Sequence, residues 1–275
     1  MVYLKRRVLS AAIFLLVLIL IGAFNSSIVD TIVITILSMI GIYEYNKAFK
    51  NAGFKPISWV GYLGCFTMFS MGGIIANVDK ILIIKFALPI LLIVIFMYMI
   101  LTNLKRTIVD VAITVFSLIY IPFMFSFLKL ILMMENGRFL ILYVFIAAFA
   151  SDTFAFLIGR KFGKNKLCPE ISPKKTIEGA VGGIFGVILC YTILTYVGNR
   201  YFSMNLNFIY MLIAGVIAGI AGQFGDLSAS AIKRYCNIKD FGNIMPGHGG
   251  ILDRFDSMLF VAPVIYIFLK LYMFN

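Results

Sequence analysis

Four aspartates in the second half of the chain have the spacing of a site that binds a metal ion and phosphate. Asp152 and Asp226 each lie seven or eight residues before the first basic residue after a long apolar run, so each is expected about 10–12 Å inside a helix end. Asp253 and Asp256 open a later apolar run, and their i,i+3 spacing puts both on one helical face. Because Mg²⁺ binds carboxylate oxygens together with substrate phosphates, we predict a Mg²⁺ site.

The same acids have simpler interpretations. A single acid in the first turn of a helix often only complements the helix dipole, and Asp152 alone could pair with a lysine. An acid within a membrane, however, costs at least ~2.5 kcal/mol and is functional by default. The i,i+3 pair together with further acids at one depth therefore favours the metal site.

The polar run at residues 230–256 supplies groups that suit phosphate. Its glycines leave backbone N–H groups open for close approach just before a helix N-terminus, and they are Gly247, Gly249 and Gly250. Its basic residues are Lys233, Arg234, Lys239 and Arg254. His248 is the only histidine in the chain. A phosphate monoester is already ionised at neutral pH, so we expect a phosphate contact or a structural role for His248, and no general base.

A second polar run reads Ser172-Pro-Lys-Lys-Thr-Ile-Glu-Gly179. Lys174 and Lys175 lie between two hydroxyl residues just before an apolar run, which suits binding of a triphosphate. The alternative is that the lysines anchor the chain at the membrane face while Ser172 or Thr176 caps the next helix. The sequence leaves both interpretations open.

The elements that position these residues are apolar helices. Of the 275 residues, 62% are hydrophobic and 13% are charged, and the mean hydropathy is +1.01. A soluble domain keeps roughly a quarter of its residues charged, so this composition indicates a membrane protein. We predict an all-α polytopic membrane protein with about nine transmembrane helices, or eight if two tightly joined segments merge. The predicted spans are 8–24, 28–45, 57–77, 81–101, 108–134, 139–158, 177–198, 208–232 and 251–273.

The positions of lysine and arginine predict the topology. With the N-terminus in the cytoplasm and the C-terminus outside, 18 of the 24 basic residues fall on the cytoplasmic face. We expect residues 1–140 to form a lipid-facing scaffold and residues 141–275 to carry the active site with its cytoplasmic loops. The four cysteines lack CxxC spacing, which argues against a zinc site or a disulfide framework. No nucleic-acid partner is expected.

The residues from Ser230 to Asp256 resemble a known family. Their Lys-Arg, Lys-Asp, Pro-x-His-Gly-Gly and Asp-Arg-x-Asp elements are similar to the signature of phosphatidate cytidylyltransferases, also called CDP-diacylglycerol synthases. Three further blocks are similar to that family: Asp152-x-x-Ala-Phe-x-x-Gly159, Ser172-Pro-Lys-Lys-Thr-x-Glu-Gly179 and Gly225-Asp-Leu-x-x-Ser230. The blocks cover roughly residues 150–260, whereas the N-terminal half matches only as a series of apolar spans.

The resemblance implies a homodimeric enzyme of phospholipid biosynthesis in a bacterial plasma membrane, with its active site facing the cytoplasm. It implies CTP and phosphatidic acid as substrates and Mg²⁺ as cofactor, with room for a second cation. It assigns the metal to Asp226 and Asp253, with Asp256 beside them. The remaining expected catalytic residues are Asp152, Lys233, Arg234 and Arg254. The expected substrate-binding residues are Ser172, Lys174, Lys175, Thr176, Ser230, Lys239, Asp240, Gly247, His248, Gly249 and Gly250.

Two other functions remain open from the sequence. A CTP-dependent polyprenol or other lipid kinase would transfer the γ-phosphate, and a cytidylyltransferase could act on a different lipid phosphate. A lipid or ion transporter could use the buried acids for coupling, but inverted repeats are not apparent and the acids lie near one face. The nucleotide product distinguishes the enzymes.

Overall fold

The computed structural model describes residues 26–71, 80–244 and 249–273. Within these residues it contains nine α-helices, one π-helical segment and one hairpin of two short strands. The helices are α1 (Ser27–Asn51), α2 (Ser58–Met71), α3 (Lys80–Leu101), α4 (Ile108–Leu118), α5 (Met124–Leu132), α6 (Gly137–Phe162), α7 (Ile177–Phe202), α8 (Phe208–Tyr235) and α9 (Leu252–Met273). The strands are β1 (Lys166–Cys168) and β2 (Ser172–Thr176).

Six stretches among the described residues are long and apolar enough to cross a membrane. They are Ser27–Asn51, Ile108–Leu132, Gly137–Phe162, Ile177–Phe202, Phe208–Tyr235 and Leu252–Tyr272. Each contains one of the predicted spans almost completely, so the polytopic helical class is confirmed. The predicted span at 8–24 lies outside the described residues, as does part of the segment at 57–77. The count of about nine and the orientation of the termini stay predictions.

The second of these stretches, Ile108–Leu132, is interrupted in its middle. A π-helical segment at Ile119–Phe123 separates α4 from α5 and contains Pro122. Proline has no N–H to donate to the preceding turn, so the chain widens locally instead of continuing as a regular helix. Pro122 therefore lies in the break between α4 and α5.

The predicted class contains no strands, and the structure corrects this. The chain between Phe162, where α6 ends, and α7 folds as a hairpin, and the predicted polar run that begins at Ser172 forms its second strand. β1 pairs with β2 in antiparallel fashion, with Lys166 opposite Thr176 and Cys168 opposite Ser172. This short hairpin leads directly into α7.

One compact unit contains the described residues up to Lys129 together with those of Tyr235–Asp253. In it α1 approaches α2 closely, because a Cβ added at Gly61 would lie 2.8 Å from the side chain of Ile42. α4 begins with a capping box between Thr107 and Asp110. A buried apolar cluster joins α2, α3 and α4, and consists of Ile57, Val60, Ile95 and Val111.

The second compact unit contains Leu130–Arg234 and the described residues from Arg254 onward. α6 and α7 are bonded at mid-length: the Tyr191 hydroxyl donates to the carbonyl of Tyr143, and the Tyr143 hydroxyl lies 2.9 Å from that of Thr195. A Cβ at Gly183 would lie 2.8 Å from the carbonyl oxygen of Ser151. Gly183 thus allows α6 and α7 to pack closely.

Candidate active site

The hairpin brings Lys175 against Asp226 in the second unit. Lys175 lies on β2, and its Nζ forms an ion pair with Oδ2 of Asp226 on α8. The two side chains keep 30% and 25% of their surface exposed, so the pair is partly open instead of sealed in a core. An acid and a base in contact, and still accessible, are suited to binding a charged ligand.

Three further charged groups surround this pair. Asp152, Asp256 and Lys233 are all close enough to act electrostatically on Lys175. Burial lowers the pKa of Lys175, while the two carboxylates act in the opposite direction and Lys233 adds to the lowering. Of the four acids predicted to converge, Asp226 pairs with Lys175, and Asp152 and Asp256 are near enough to act on the same lysine.

Close helix packing fixes the positions of these groups. The Thr176 side chain accepts a hydrogen bond from the Gly179 N–H at 3.1 Å and so caps α7 directly after β2. A Cβ at Gly179 would lie 2.7 Å from the Ala155 carbonyl oxygen on α6. On α8, a Cβ at Gly225 would lie 2.6 Å from the backbone oxygen of Asp256. Glycine thus allows the backbones beside Lys175 and Asp226 to approach.

A cavity of about 410 Å³ opens between these elements. Its polar lining includes Asp152, Arg160, Lys174, Lys175, Gln223 and Asp226. Asp152 is exposed to it, and Arg254 is close enough to Asp152 to interact electrostatically. The volume suits a ligand of nucleotide size, and the cationic groups suit its phosphates.

Asp253 belongs to the other unit, where the loop before α9 holds it. Its Oδ2 accepts hydrogen bonds from the N–H groups of Phe241 at 2.8 Å and Gly250 at 2.9 Å. The Gly250 N–H is therefore bonded within the loop and is not open, in contrast to the expectation from sequence. Gly249 adopts φ +84, a conformation that favours glycine.

Comparisons with known proteins show which chemistry this arrangement belongs to. A family model described as the cytidylyltransferase family matches residues 5–272. The chain belongs to the cytidylyltransferase family. The phosphatidate cytidylyltransferase of Bacillus subtilis (strain 168) is 34% identical over 287 residues, covering 99% of this chain and 100% of the relative.

Relatives from other bacteria match over a shorter region. The phosphatidate cytidylyltransferases of Staphylococcus haemolyticus (strain JCSC1435) and Staphylococcus aureus (strain COL) are 41% and 40% identical over 172 residues. Each alignment covers 62% of this chain and 64% of the relative. The resemblance stated from the motifs is confirmed, and this cytidylyltransferase is a nucleotidyltransferase by family.

The other predicted site residues of the cytidylyltransferase occupy several environments. Ser172 begins β2, Ser230 is half-buried on α8, and Arg234 donates from Nε to the Ile171 carbonyl at 3.3 Å. Lys239 and Asp240 are exposed in the loop that follows α8. Gly247 and His248 lie outside the described residues, so their roles stay predictions.

Two residues of the site were missed by sequence reasoning. Gln223, one turn before Asp226, lines the cavity and donates from Nε2 to the Ala180 carbonyl at 2.8 Å. Gly159, in the last turn of α6, lies so close to the start of α7 that a Cβ there would be 2.9 Å from Oγ1 of Thr176. Two signals in the sequence could have identified them. Gly159 is the last residue of a block that resembles the family, and Gln223 is an amide side chain within an apolar helix.

The acids of the cytidylyltransferase fit magnesium by their chemistry. Among the described residues, no group of three or more His, Cys, Asp or Glu side chains lies close enough together to hold a metal ion without a ligand's help. Mg²⁺, however, is usually held by one or two carboxylates together with substrate phosphates. Asp226 with its neighbours Asp152 and Asp256 offers such hard oxygen donors next to the cationic side chains of Lys175 and Lys233.

Proposed function

We propose that this cytidylyltransferase is a phosphatidate cytidylyltransferase, which converts CTP and phosphatidic acid into CDP-diacylglycerol and pyrophosphate. The similarity to the Bacillus subtilis protein of that name, over 99% of this chain, carries the proposal. The cavity chemistry supports it, because basic residues and carboxylates line the same space.

The reaction joins two phosphates. An oxygen of the phosphate of phosphatidic acid attacks the α-phosphorus of CTP, a new P–O–P bond forms, and the bond to the β-phosphate breaks to release pyrophosphate. The attacking phosphate is already ionised at neutral pH, so the protein need not remove a proton. Positioning of the two phosphates and neutralisation of their charge are what this chain must supply.

The basic residues of the second unit perform that neutralisation. Lys174 and Lys175 on β2 line the cavity and offset the charge of the triphosphate and of the departing pyrophosphate. Lys233 and Arg254 act on the same groups from α8 and α9, because each is electrostatically coupled to a residue of the cavity wall.

Asp226 and Asp256 are the carboxylates of this unit that would hold Mg²⁺, and the resemblance assigns the same role to Asp253. The ion, when bound, withdraws negative charge from the phosphate oxygens. Asp152 faces Lys175 and Arg254 and orients these cations. Ser172, Ser230, Lys239, Asp240, Gly249 and Gly250 keep their proposed roles in substrate binding.

Several finer properties accompany this proposal. We infer about nine transmembrane helices, a cytoplasmic N-terminus and an active site that opens to the cytoplasm of a bacterial cell. CTP would then arrive from the aqueous side and phosphatidic acid laterally from the inner leaflet. A homodimer in the plasma membrane is the expected assembly. Cysteine labelling from each side of the membrane tests the orientation, and cross-linking tests the dimer.

The first experiment is product analysis with the purified protein in detergent, phosphatidic acid, Mg²⁺ and CTP labelled at the α- or γ-phosphate. Label from the α position should enter the lipid while pyrophosphate is released. Transfer of γ-label to a lipid alcohol would replace the proposal with a lipid kinase. A different lipid phosphate accepting the α-label, with phosphatidic acid inert, would change the substrate only.

The Asp226→Asn variant tests the carboxylate. We expect turnover to fall about 100-fold or more while the protein still inserts and folds, because an essential negative charge beside the reacting phosphates is lost. Glu170→Gln is the matched control. Glu170 is an exposed acid in the turn between β1 and β2, the hairpin whose Lys175 pairs with Asp226. Near-normal turnover of Asp226→Asn would contradict the metal assignment.

A further inference from the structure

A buried carboxylate on α1 holds the segment that carries Asp253. Glu44 is 1% exposed, and both of its oxygens accept hydrogen bonds from backbone N–H groups. Oε1 accepts from Ile251 at 3.0 Å, and Oε2 accepts from Leu252 at 2.9 Å. These N–H groups lie at the N-terminus of α9, where a helix leaves its first N–H groups without partners within the helix. Glu44 therefore acts as a cap supplied from another helix.

Two glycines of the loop are packed against the same carboxylate. A Cβ added at Gly242 or at Gly250 would overlap Oε1 of Glu44. Gly242 follows α8 in the chain and Gly250 precedes α9, so the two ends of the loop meet at Glu44. One buried side chain thus fixes both ends of the segment in the first unit.

Asp253 completes this arrangement. Its Oδ2 accepts from the N–H groups of Phe241, which precedes Gly242, and of Gly250, which precedes Ile251. Asp253 follows Leu252 directly, so a change in the bond from Leu252 to Glu44 moves the backbone of Asp253 as well. A negative charge at a helix N-terminus is also stabilised by the helix dipole. The position of the Asp253 carboxylate is set by Glu44 through the loop.

We propose that Glu44 is a positioning residue for the reaction: it sets the geometry of Asp253 and of the backbone at Gly242 and Gly250, without touching substrate. The inference rests on the proposed role of Asp253 in magnesium binding. Groups that orient a metal ligand typically change metal affinity or activity 10- to 100-fold when they are replaced. A merely structural acid would change the amount of folded protein and leave the magnesium requirement as it was.

The test compares Glu44→Gln with Thr35→Val in the purified full-length protein. Thr35 is also buried on α1, and its hydroxyl has no hydrogen-bond partner among the residues that the structure describes. Thr35→Val therefore removes a polar atom from the same helix without breaking a described hydrogen bond. We expect Glu44→Gln to raise the half-activating Mg²⁺ concentration about tenfold, and Thr35→Val to leave it within twofold. An unchanged Mg²⁺ requirement in folded Glu44→Gln would overturn the proposal.

Gly250→Ala provides a second route if Glu44→Gln does not fold. It displaces the loop from the opposite side, and Gly219→Ala is its control, since the nearest atom to a Cβ at Gly219 is 3.5 Å away. We expect the same shift in Mg²⁺ requirement for Gly250→Ala only. In the double variant Glu44→Gln/Gly250→Ala, the two shifts in half-activating Mg²⁺ concentration should not add, because both substitutions disrupt the contact between Glu44 and the backbone at Gly250. Additive shifts would refute the coupling.

Hydrogen exchange separates this inference from the proposed function. The N–H groups of Ile251 and Leu252 should exchange at least about tenfold faster in Glu44→Gln than in the wild type, whatever the reaction proves to be. If the wild type transfers no label from CTP, the proposed function fails while this result still stands. Unchanged exchange at both N–H groups would show that Glu44 does not hold the loop.

Discussion

Gly225→Ala is the substitution that best tests how the structure positions Asp226. Gly225 precedes Asp226 on α8, and a Cβ there would lie 2.6 Å from the Asp256 backbone oxygen and 3.0 Å from the Ser257 Cα. Both neighbours are backbone atoms of the first turns of α9, so rotation of a side chain cannot relieve the overlap. The helices themselves must move apart.

The size of that movement follows from the contact. Ordinary van der Waals contact begins at 3.4 Å, so α8 and α9 must separate by about 0.8 Å at this level. A misplacement of about 1 Å in an active site can cost 10²-fold in rate. Overpacking of this kind also lowers the free energy of unfolding by about 1–3 kcal/mol. We expect turnover to fall about 100-fold, with Asp226 still present.

The assay is release of pyrophosphate from CTP by the purified variant, with phosphatidic acid in mixed micelles. Gly219→Ala on the same helix is the control, since its Cβ would make only ordinary contacts, the nearest at 3.5 Å. Thermal unfolding of both variants reports the stability change separately. If Gly225→Ala keeps turnover within twofold of the wild type, then the spacing of Asp226 and Asp256 does not matter to the reaction and the reasoning is refuted.

Four further outcomes can be checked with simpler assays. Lys175→Met should lower turnover about 100-fold in steady-state kinetics. Lys166→Met should keep turnover within twofold of the wild type, because the Lys166 side chain bonds only the Pro173 carbonyl of the same hairpin in the described structure. Thr176→Ala should lower the free energy of unfolding by about 1 kcal/mol in detergent titration, because α7 loses its cap. Chelation by EDTA should abolish transfer, and added Mg²⁺ should restore it. Burial raises the pKa of Cys236, so less of it is thiolate at neutral pH; mass spectrometry should show slow maleimide labelling that accelerates as the pH rises.

The membrane spans could be predicted from the sequence because length and hydropathy determine them directly. The six candidate spans among the described residues contain the segments expected there, and the π-helical segment contains Pro122. The helix ends were predicted too short. α1 continues to Asn51, because polar residues in a last turn can remain helical in the aqueous layer after the apolar stretch has ended.

The hairpin could not be predicted in the same way. β1 has three residues and β2 has five, too few and too polar for an alternating pattern to be visible. The two interpretations of residues 172–176 also turn out to be compatible. Thr176 caps α7, as one interpretation expected, and Lys174 and Lys175 line a cavity, as the other requires.

The acids were found from spacing, but their partners were not. A common depth for Asp152, Asp226 and Asp256 was predicted from the helical rise. The contact of Lys175 with Asp226 depends instead on how the hairpin folds. Glu44 lies more than 200 residues from the N–H groups it binds. A single acid in an apolar helix does not reveal such a distant partner, so only the fold identifies it.

The hydrogen bonds between Tyr143, Tyr191 and Thr195 have a consequence for ligand binding. They join α6 and α7 deep below the hairpin, and the hairpin connects the ends of those same two helices. The backbone of β2 is thus positioned when the protein folds, and less conformational entropy is lost there when a nucleotide arrives. Tyr191→Phe removes the hydrogen bond from the Tyr191 hydroxyl to the Tyr143 carbonyl. The entropy of CTP binding should then become less favourable. Calorimetry would measure this as a weaker affinity with a nearly constant binding enthalpy.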